Sequence, residues 1–212
     1  MANVPFSTLY DQVIPYLPGA ETGLVDAQIR KALREFMRRT TITRETFNFN
    51  TVVGADTYQL IPSFGEVSSI IEVRTGPVGG EVSHMPLPVI PEEKRCQRDP
   101  GPPIAWHTTA LDYLTIYPMP DDLYPFSVIA VVTLAQNSTD YPDYIQRHHA
   151  EAVASGVLSL MYSMPGKPWS QPQAAAAAGR MFNGEIRTLR GSLRDGGQPN
   201  QSTFRGAYKF GA

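Results

Sequence analysis

Helical patterns sit at the two ends of this chain, and a strand-rich stretch lies between them. Near the C-terminus, residues 144–163 read as a helix, Met164-Pro165-Gly166-Lys167-Pro168-Trp169 breaks it, and residues 173–194 read as a second helix. Neither Pro165 nor Pro168 continues a helix interior. An amphipathic helix buries its apolar stripe only against another element. The remaining helical patterns lie at the N-terminus, so the two ends are expected to pack together and hold the middle out as a lobe. The expected fold class is α+β: an antiparallel bundle of N- and C-terminal helices, an inserted antiparallel β lobe and an extended C-terminal arm. The expected divisions are bundle helices at residues 1–41, the lobe at 42–137, further bundle helices at 138–194 and the arm at 195–212.

Residues 6–16 form the first helical candidate, with Ser7 or Thr8 as its cap and Leu9, Val13 and Ile14 along one side. Pro18-Gly19 makes a turn. The next helix runs from Thr22 to about Arg39, with Val25, Ile29, Ala32, Leu33 and Phe36 on one apolar face. Arg30, Arg34 and Arg38 recur every four residues on another line, and Asp26 is placed for an ion pair with Arg30. The row reads either as a solvated face or as an inter-subunit or nucleic-acid-facing surface.

From Ile42 the period changes to alternation, clearest at Phe47-Asn48-Phe49. Further strands are expected at 57–60, at 67–73 as a buried strand, at 104–107 paired with 113–117 across Leu111-Asp112, and at 126–134. A proline-rich loop occupies 85–103, with one helical turn expected at 91–95 because proline suits a helix start. The sum is a sheet or small sandwich of about six strands. No strand–helix–strand alternation appears, which argues against a dinucleotide-binding fold.

Asp140-Tyr141-Pro142-Asp143 reads as the cap of the third helix, whose stripe is Ile145, His149, Ala152, Val153, Gly156, Val157, Leu160 and Met161. Ala152 and Gly156 are small enough for another helix to approach closely. The fourth helix carries Ala174 to Ala178, then Phe182, Ile186, Leu189 and Leu193. Beyond it, Asp195-Gly196-Gly197-Gln198-Pro199-Asn200-Gln201 has no apolar content for a core. The arm ends in Phe204, Arg205, Tyr208, Lys209 and Phe210, residue types that anchor interfaces.

Chemistry is sparse. The net charge of −2 predicts no bulk attraction to DNA or anionic membranes. Cys96 is the single cysteine, which excludes an internal disulfide and a multi-cysteine metal site, and no histidine neighbours it. His148 and His149 are adjacent and so diverge by about 100° on a helix, unlike the spacing that binds zinc. His149 falls on the apolar stripe and reads as a core histidine; His84 and His107 stand apart. Asp121-Asp122 reads as a turn, since adjacent residues at a strand end face opposite ways. Gly76-Pro77-Val78-Gly79-Gly80 lacks the lysine and following helix of a phosphate loop. No secretory signal or apolar run of bilayer length is seen, so a soluble protein made in a cytosol, without a membrane partner, is expected. Neither a catalytic residue nor a cofactor site is expected.

Several segments together resemble the head-to-tail adaptor (connector) proteins of tailed bacteriophages. They are Val13-Ile14-Pro15-Tyr16-Leu17-Pro18-Gly19 before the helix at 26–39, Leu114-Thr115-Ile116-Tyr117-Pro118-Met119-Pro120 before the last strand, and Tyr141-Pro142-Asp143-Tyr144. The helix with Glu151-Ala152-Val153-Ala154-Ser155-Gly156 follows, and Met164-Pro165-Gly166-Lys167-Pro168-Trp169 is the most specific mark. Residues 85–103 and 202–212 lie outside the resemblance.

The resemblance implies a structural role in the virion at the head–tail interface, after assembly in the host cytoplasm. It implies a dodecameric homo-oligomeric ring beneath the portal protein ring, a downstream tail or nozzle protein, and genomic DNA passing through the lumen without sequence-specific binding. The arm residues Phe204, Arg205, Tyr208, Lys209 and Phe210 are then the expected portal contacts, and Arg30, Arg34 and Arg38 the expected inter-subunit contacts. Two other classes stay open. A virion-associated cell-wall glycosidase needs two converging carboxylates, for which Glu151 and Glu185 are candidates. A DNA-binding module would use the Arg30/Arg34/Arg38 face.

Overall fold

The computed structural model describes residues 2–82, 86–91 and 99–194. Strand β1 (Asn3–Pro5) opens the chain, followed by a 3-10 turn (Phe6–Leu9), the short helix α1 (Tyr10–Val13) and a second 3-10 turn (Ile14–Tyr16). Helix α2 spans Thr22–Thr40. Strands β2 (Arg44–Asn50), β3 (Thr57–Gln59), β4 (Glu66–Thr75), β5 (Ala105–Ala110), β6 (Tyr113–Tyr117), β7 (Pro125–Thr133) and β8 (Asp140–Pro142) follow. Helices α3 (Asp143–Tyr162) and α4 (Pro172–Arg194) complete the described chain. No described helix is long and apolar enough to cross a membrane.

The ends pack together, as the apolar stripes require. Val25, Ile29, Ala32, Leu33 and Phe36 of α2 are all buried, in one cluster with Val153, Val157 and Met161 of α3 and Phe182 and Ile186 of α4. Helices α3 and α4 run antiparallel: His149 faces Glu185, Gly156 faces Phe182 and Ser159 faces Gly179 and Ala175. Gly156 permits this approach, because a Cβ there would lie 2.8 Å from two ring carbons of Phe182. Trp169, in the break, is buried in the same cluster, so the proline-rich connection also plugs the bundle.

Residues 6–16 are a series of short turns, not one helix. Leu9 and Val13 are buried as expected, but Ile14 is 40% exposed, and Leu17 fills the core beside them. Thr8 does not cap a helix; its hydroxyl donates to the Pro5 carbonyl and also meets the Tyr141 hydroxyl. Asp26 does not pair with Arg30. It accepts a hydrogen bond from Tyr10, while Arg30 reaches the Ser138 carbonyl.

The segment expected to cap α3 is instead strand β8, which pairs antiparallel with β1. The Asp143 N–H donates to the Ala2 carbonyl, and the Tyr141 ring is fully buried. The backbone groups at the start of the chain thus find partners at the entrance to α3.

Between the helices lie two antiparallel three-stranded sheets, ordered β2-β7-β4 and β3-β6-β5. Their inner faces share a second core of Val67, Val73, Trp106, Leu114, Ile116, Phe126 and Val128. Strand β4 differs from the fully buried strand expected: Ile71 is 42% exposed, and its pairing with β7 shifts register twice. It presents one face to the core and one outward, as antiparallel strands do. Leu87 donates from its backbone to Val73, and Ile90 to Trp106, so the described part of the proline-rich loop bonds to both sheets. The helical turn expected at 91–95 lies outside the described residues for all but its first position.

Candidate functional site

The described part of the bundle carries two charged clefts. The first, about 530 Å³, opens beside α3 and is lined by Gln12, Arg147, His148, His149, Glu151, Ser155 and Glu185 among others. Helix α3 loses its regular geometry at His149, where φ is −138° and ψ is 16°. His149 is nonetheless buried, its ring 5.5 Å from that of Phe36. Both of its ring nitrogens, and Oε1 of Gln12, are buried without a hydrogen-bond partner among the described residues. Glu185 Oε1 stands 3.8 Å from His149 Nδ1, too far for a hydrogen bond. Burial lowers the His149 pKa, the nearby Glu185 carboxylate opposes that shift, and His148 adds to it.

Three other side chains of this cleft are engaged. Gln146 accepts from the Tyr141 hydroxyl and donates to the Thr8 carbonyl. Arg147 pairs with Asp143 one turn earlier, and His148 lies against the Tyr144 ring. Glu151 and Glu185, which nothing in the sequence pairs, thus line one cleft.

The second cleft, about 400 Å³, runs between α2 and β4 and is lined by Lys31, Arg34, Glu35, Arg38, Glu66 and Ser68 among others. The arginine row is not uniform. Arg30 lies over the Phe6 ring at 5.7 Å as well as reaching Ser138. Arg34 pairs with Glu66 and so ties α2 to the β4 strand. Arg38 is exposed and has neither a hydrogen bond nor an ion pair with a described residue. Arg39, absent from the expected row, pairs with Glu35 and donates to Asn183 of α4.

Asp121 and Asp122 do not converge. Asp121 accepts the Tyr124 hydroxyl at 2.7 Å, which pushes the Tyr124 pKa up to about 12, and Asp122 accepts the Leu123 N–H. The pair therefore organises the turn into β7. His107 is buried in β5. No group of three His, Cys, Asp or Glu side chains among the described residues is placed to hold a metal. Cys96, His84 and the arm residues Phe204, Arg205, Tyr208, Lys209 and Phe210 lie outside the described residues.

The β1–β8 pairing and the kink at His149 are not legible in the sequence. Strands β1 and β8 have three residues each and both end in proline, which reads as a turn or a helix start, and nothing in the residues around His149 breaks a helical stripe. The only hint was a histidine on an apolar face beside a second histidine.

No curated protein matches the chain. The SU10 adaptor protein family matches residues 4–205. That match runs through the proline-rich stretch 85–103, which was expected to be particular to this chain, and ends inside the C-terminal arm. A bundle closed by both termini, a β lobe inserted between them and a family match over nearly the whole length lead to one statement: this chain belongs to the SU10 adaptor protein family, a family of phage structural adaptors.

Proposed function

We propose that this protein is the head-to-tail adaptor of a tailed phage, a ring beneath the portal that joins the capsid vertex to the tail and forms part of the DNA conduit. The observation that carries this reading is the adaptor-family match over residues 4–205. The architecture supports it: the bundle gives a body closed by helices from both ends of the described chain, and the lobe inserted between them gives a second surface. The ring is a dodecamer matched to the portal, its lower face receives a tail or nozzle protein, and genomic DNA passes through without sequence-specific contacts. The chain works in the virion, at the head–tail interface.

The arm holds the portal. Phe204, Tyr208 and Phe210 bury in grooves between portal subunits, and Arg205 and Lys209 pair with acidic groups around them. Tethering through the ring makes each later contact intramolecular, so individually weak contacts combine into firm attachment. Arg30 and Arg34 fix the α2 face through Ser138 and Glu66, and Arg38 projects from it toward a neighbouring subunit.

The test is deletion of residues 196–212, followed by co-sedimentation with portal rings. The truncated chain keeps the circular dichroism and melting of the full chain and fails to bind. A truncated chain that still binds the portal overturns the role of the arm. Failure of the full chain to bind portal rings overturns the adaptor reading itself.

A further inference from the structure

The two clefts are complementary in charge and lie on opposite sides of α2. In the first, Arg147 is neutralised by Asp143, which leaves the carboxylates of Glu151 and Glu185 facing outward. Behind them stand three buried polar atoms without partners among the described residues: Gln12 Oε1 and both nitrogens of His149, a side chain only 7% exposed. Buried polar groups in folded assemblies are almost always paired. Gln12 Oε1 and one nitrogen of the neutral His149 ring are unmet acceptors, the other ring nitrogen is a donor beside Glu185, and the two carboxylates tip the cleft toward an excess of acceptors. In the second, Arg34 pairs with Glu66 and Glu35 with Arg39, which leaves Lys31 and Arg38 as the outward charges.

Phe36 sets the relative direction of the two clefts, because its ring lies against His149. At 100° per residue, Arg38 is turned about 160° from Phe36 around the helix axis and Lys31 about 140°. A basic patch and an acidic cleft on opposite sides of one body make a head-to-tail contact, which closes into a ring when the rotation between copies permits. The planar guanidinium of arginine, with five donors and no acceptor, suits a cleft of acceptors better than the compact ammonium of lysine.

We propose that Arg38 of one copy, flanked by Lys31, docks into the His149 cleft of a second copy, with Glu151 and Glu185 taking the guanidinium at its mouth. This contact rests on the ring-forming reading above and gives it a specific interface. The occupant is a second copy because the same chain carries both the missing donors and the unmet acceptors on opposed faces.

Sedimentation velocity of the full chain at physiological salt, across micromolar to millimolar concentration, tests it. The unaltered chain self-associates. Arg38→Glu and Glu185→Arg each shift the association midpoint at least about tenfold upward, in the range measured for close interfacial charge pairs. The Arg38→Glu/Glu185→Arg double variant associates more tightly than either single variant, because it restores one opposite-charge pair in reversed sense while Glu151 still repels the new carboxylate. A misfolded variant would not be rescued by a second substitution. Single variants that associate as the unaltered chain does, or a double variant that associates no better than the single variants, overturn the contact, as does an unaltered chain that stays monomeric throughout. Binding of the Arg38→Glu chain to portal rings, measured separately, is retained through the arm. Loss of portal binding by the unaltered chain, rather than by this variant, marks failure of the adaptor reading instead.

Discussion

Two glycines on the C-terminal helices, given the same substitution, move stability in opposite directions. Gly156 of α3 faces Phe182, and a Cβ there would meet Cδ2 and Cε2 of that ring at 2.8 Å and Cγ at 3.2 Å. Phe182 is itself buried and packed 6.2 Å from the Phe36 ring, so it has little room to retreat. Gly156→Ala gains about 1 kcal/mol of helix propensity. The overpacking it forces lies in the upper part of the usual range of about 1–3 kcal/mol. The net expectation is a loss of about 1–2 kcal/mol, which for a chain of this size lowers Tm by about 3–6 °C. Gly184 of α4 has nothing within 4 Å of a Cβ position and is exposed. There, Gly184→Ala keeps the propensity term alone, a gain of about 0.5–1 kcal/mol. Urea and thermal unfolding followed by circular dichroism measure both. If Gly156→Ala is as stable as the parent, or if both variants shift in the same direction, the close α3–α4 approach is wrong.

Other outcomes follow from strain, titration and core filling. Thr41 ends α2 in the left-handed region at φ 55°, a conformation that disfavours a β-branched residue. Thr41→Gly raises stability by about 0.5–1 kcal/mol after the entropy of the freer unfolded chain is subtracted, and a loss in thermal melts would refute this. His149 has a pKa lowered by burial, so the unfolded chain binds its proton more readily. Its neutral form is fully accommodated above about pH 6.5, the ordinary histidine value, and stability falls as pH drops below that toward the lowered folded value. His149→Gln flattens this acid-side loss in urea melts between about pH 7 and 5; parallel losses in both proteins would contradict it. Trp169→Ala removes a buried ring from the bundle core and costs about 3–5 kcal/mol, whereas a loss under about 1 kcal/mol would mean the break does not plug the core.

The sequence was most readable where one period ran long. The α2 stripe from Val25 to Phe36 is buried residue for residue, because three turns of apolar spacing admit one face only. The alternation at Phe47-Asn48-Phe49 likewise told which side of β2 turns inward, with both phenylalanines less exposed than their neighbours. Short or irregular pieces were harder to read. The first helix dissolved into turns around Pro15, and Asp140 to Pro142 became a strand only because β1 was there to pair with it. The clefts depend on contacts between residues far apart in the chain. Gln12, His149 and Glu185 meet through three separate helical segments, and no local pattern announces that. The arginine row was visible as a row, but its division into Arg34 held by Glu66 and Arg38 left outward required the position of β4.

The adaptor assignment is tested most directly by a single-particle reconstruction of the head–tail vertex of the virion. The account predicts a ring of this chain pressed against the portal, one copy per portal subunit, with the segment after Arg194 running up into the portal. A vertex in which the portal meets the tail without this chain, or a chain located elsewhere in the virion, would contradict it.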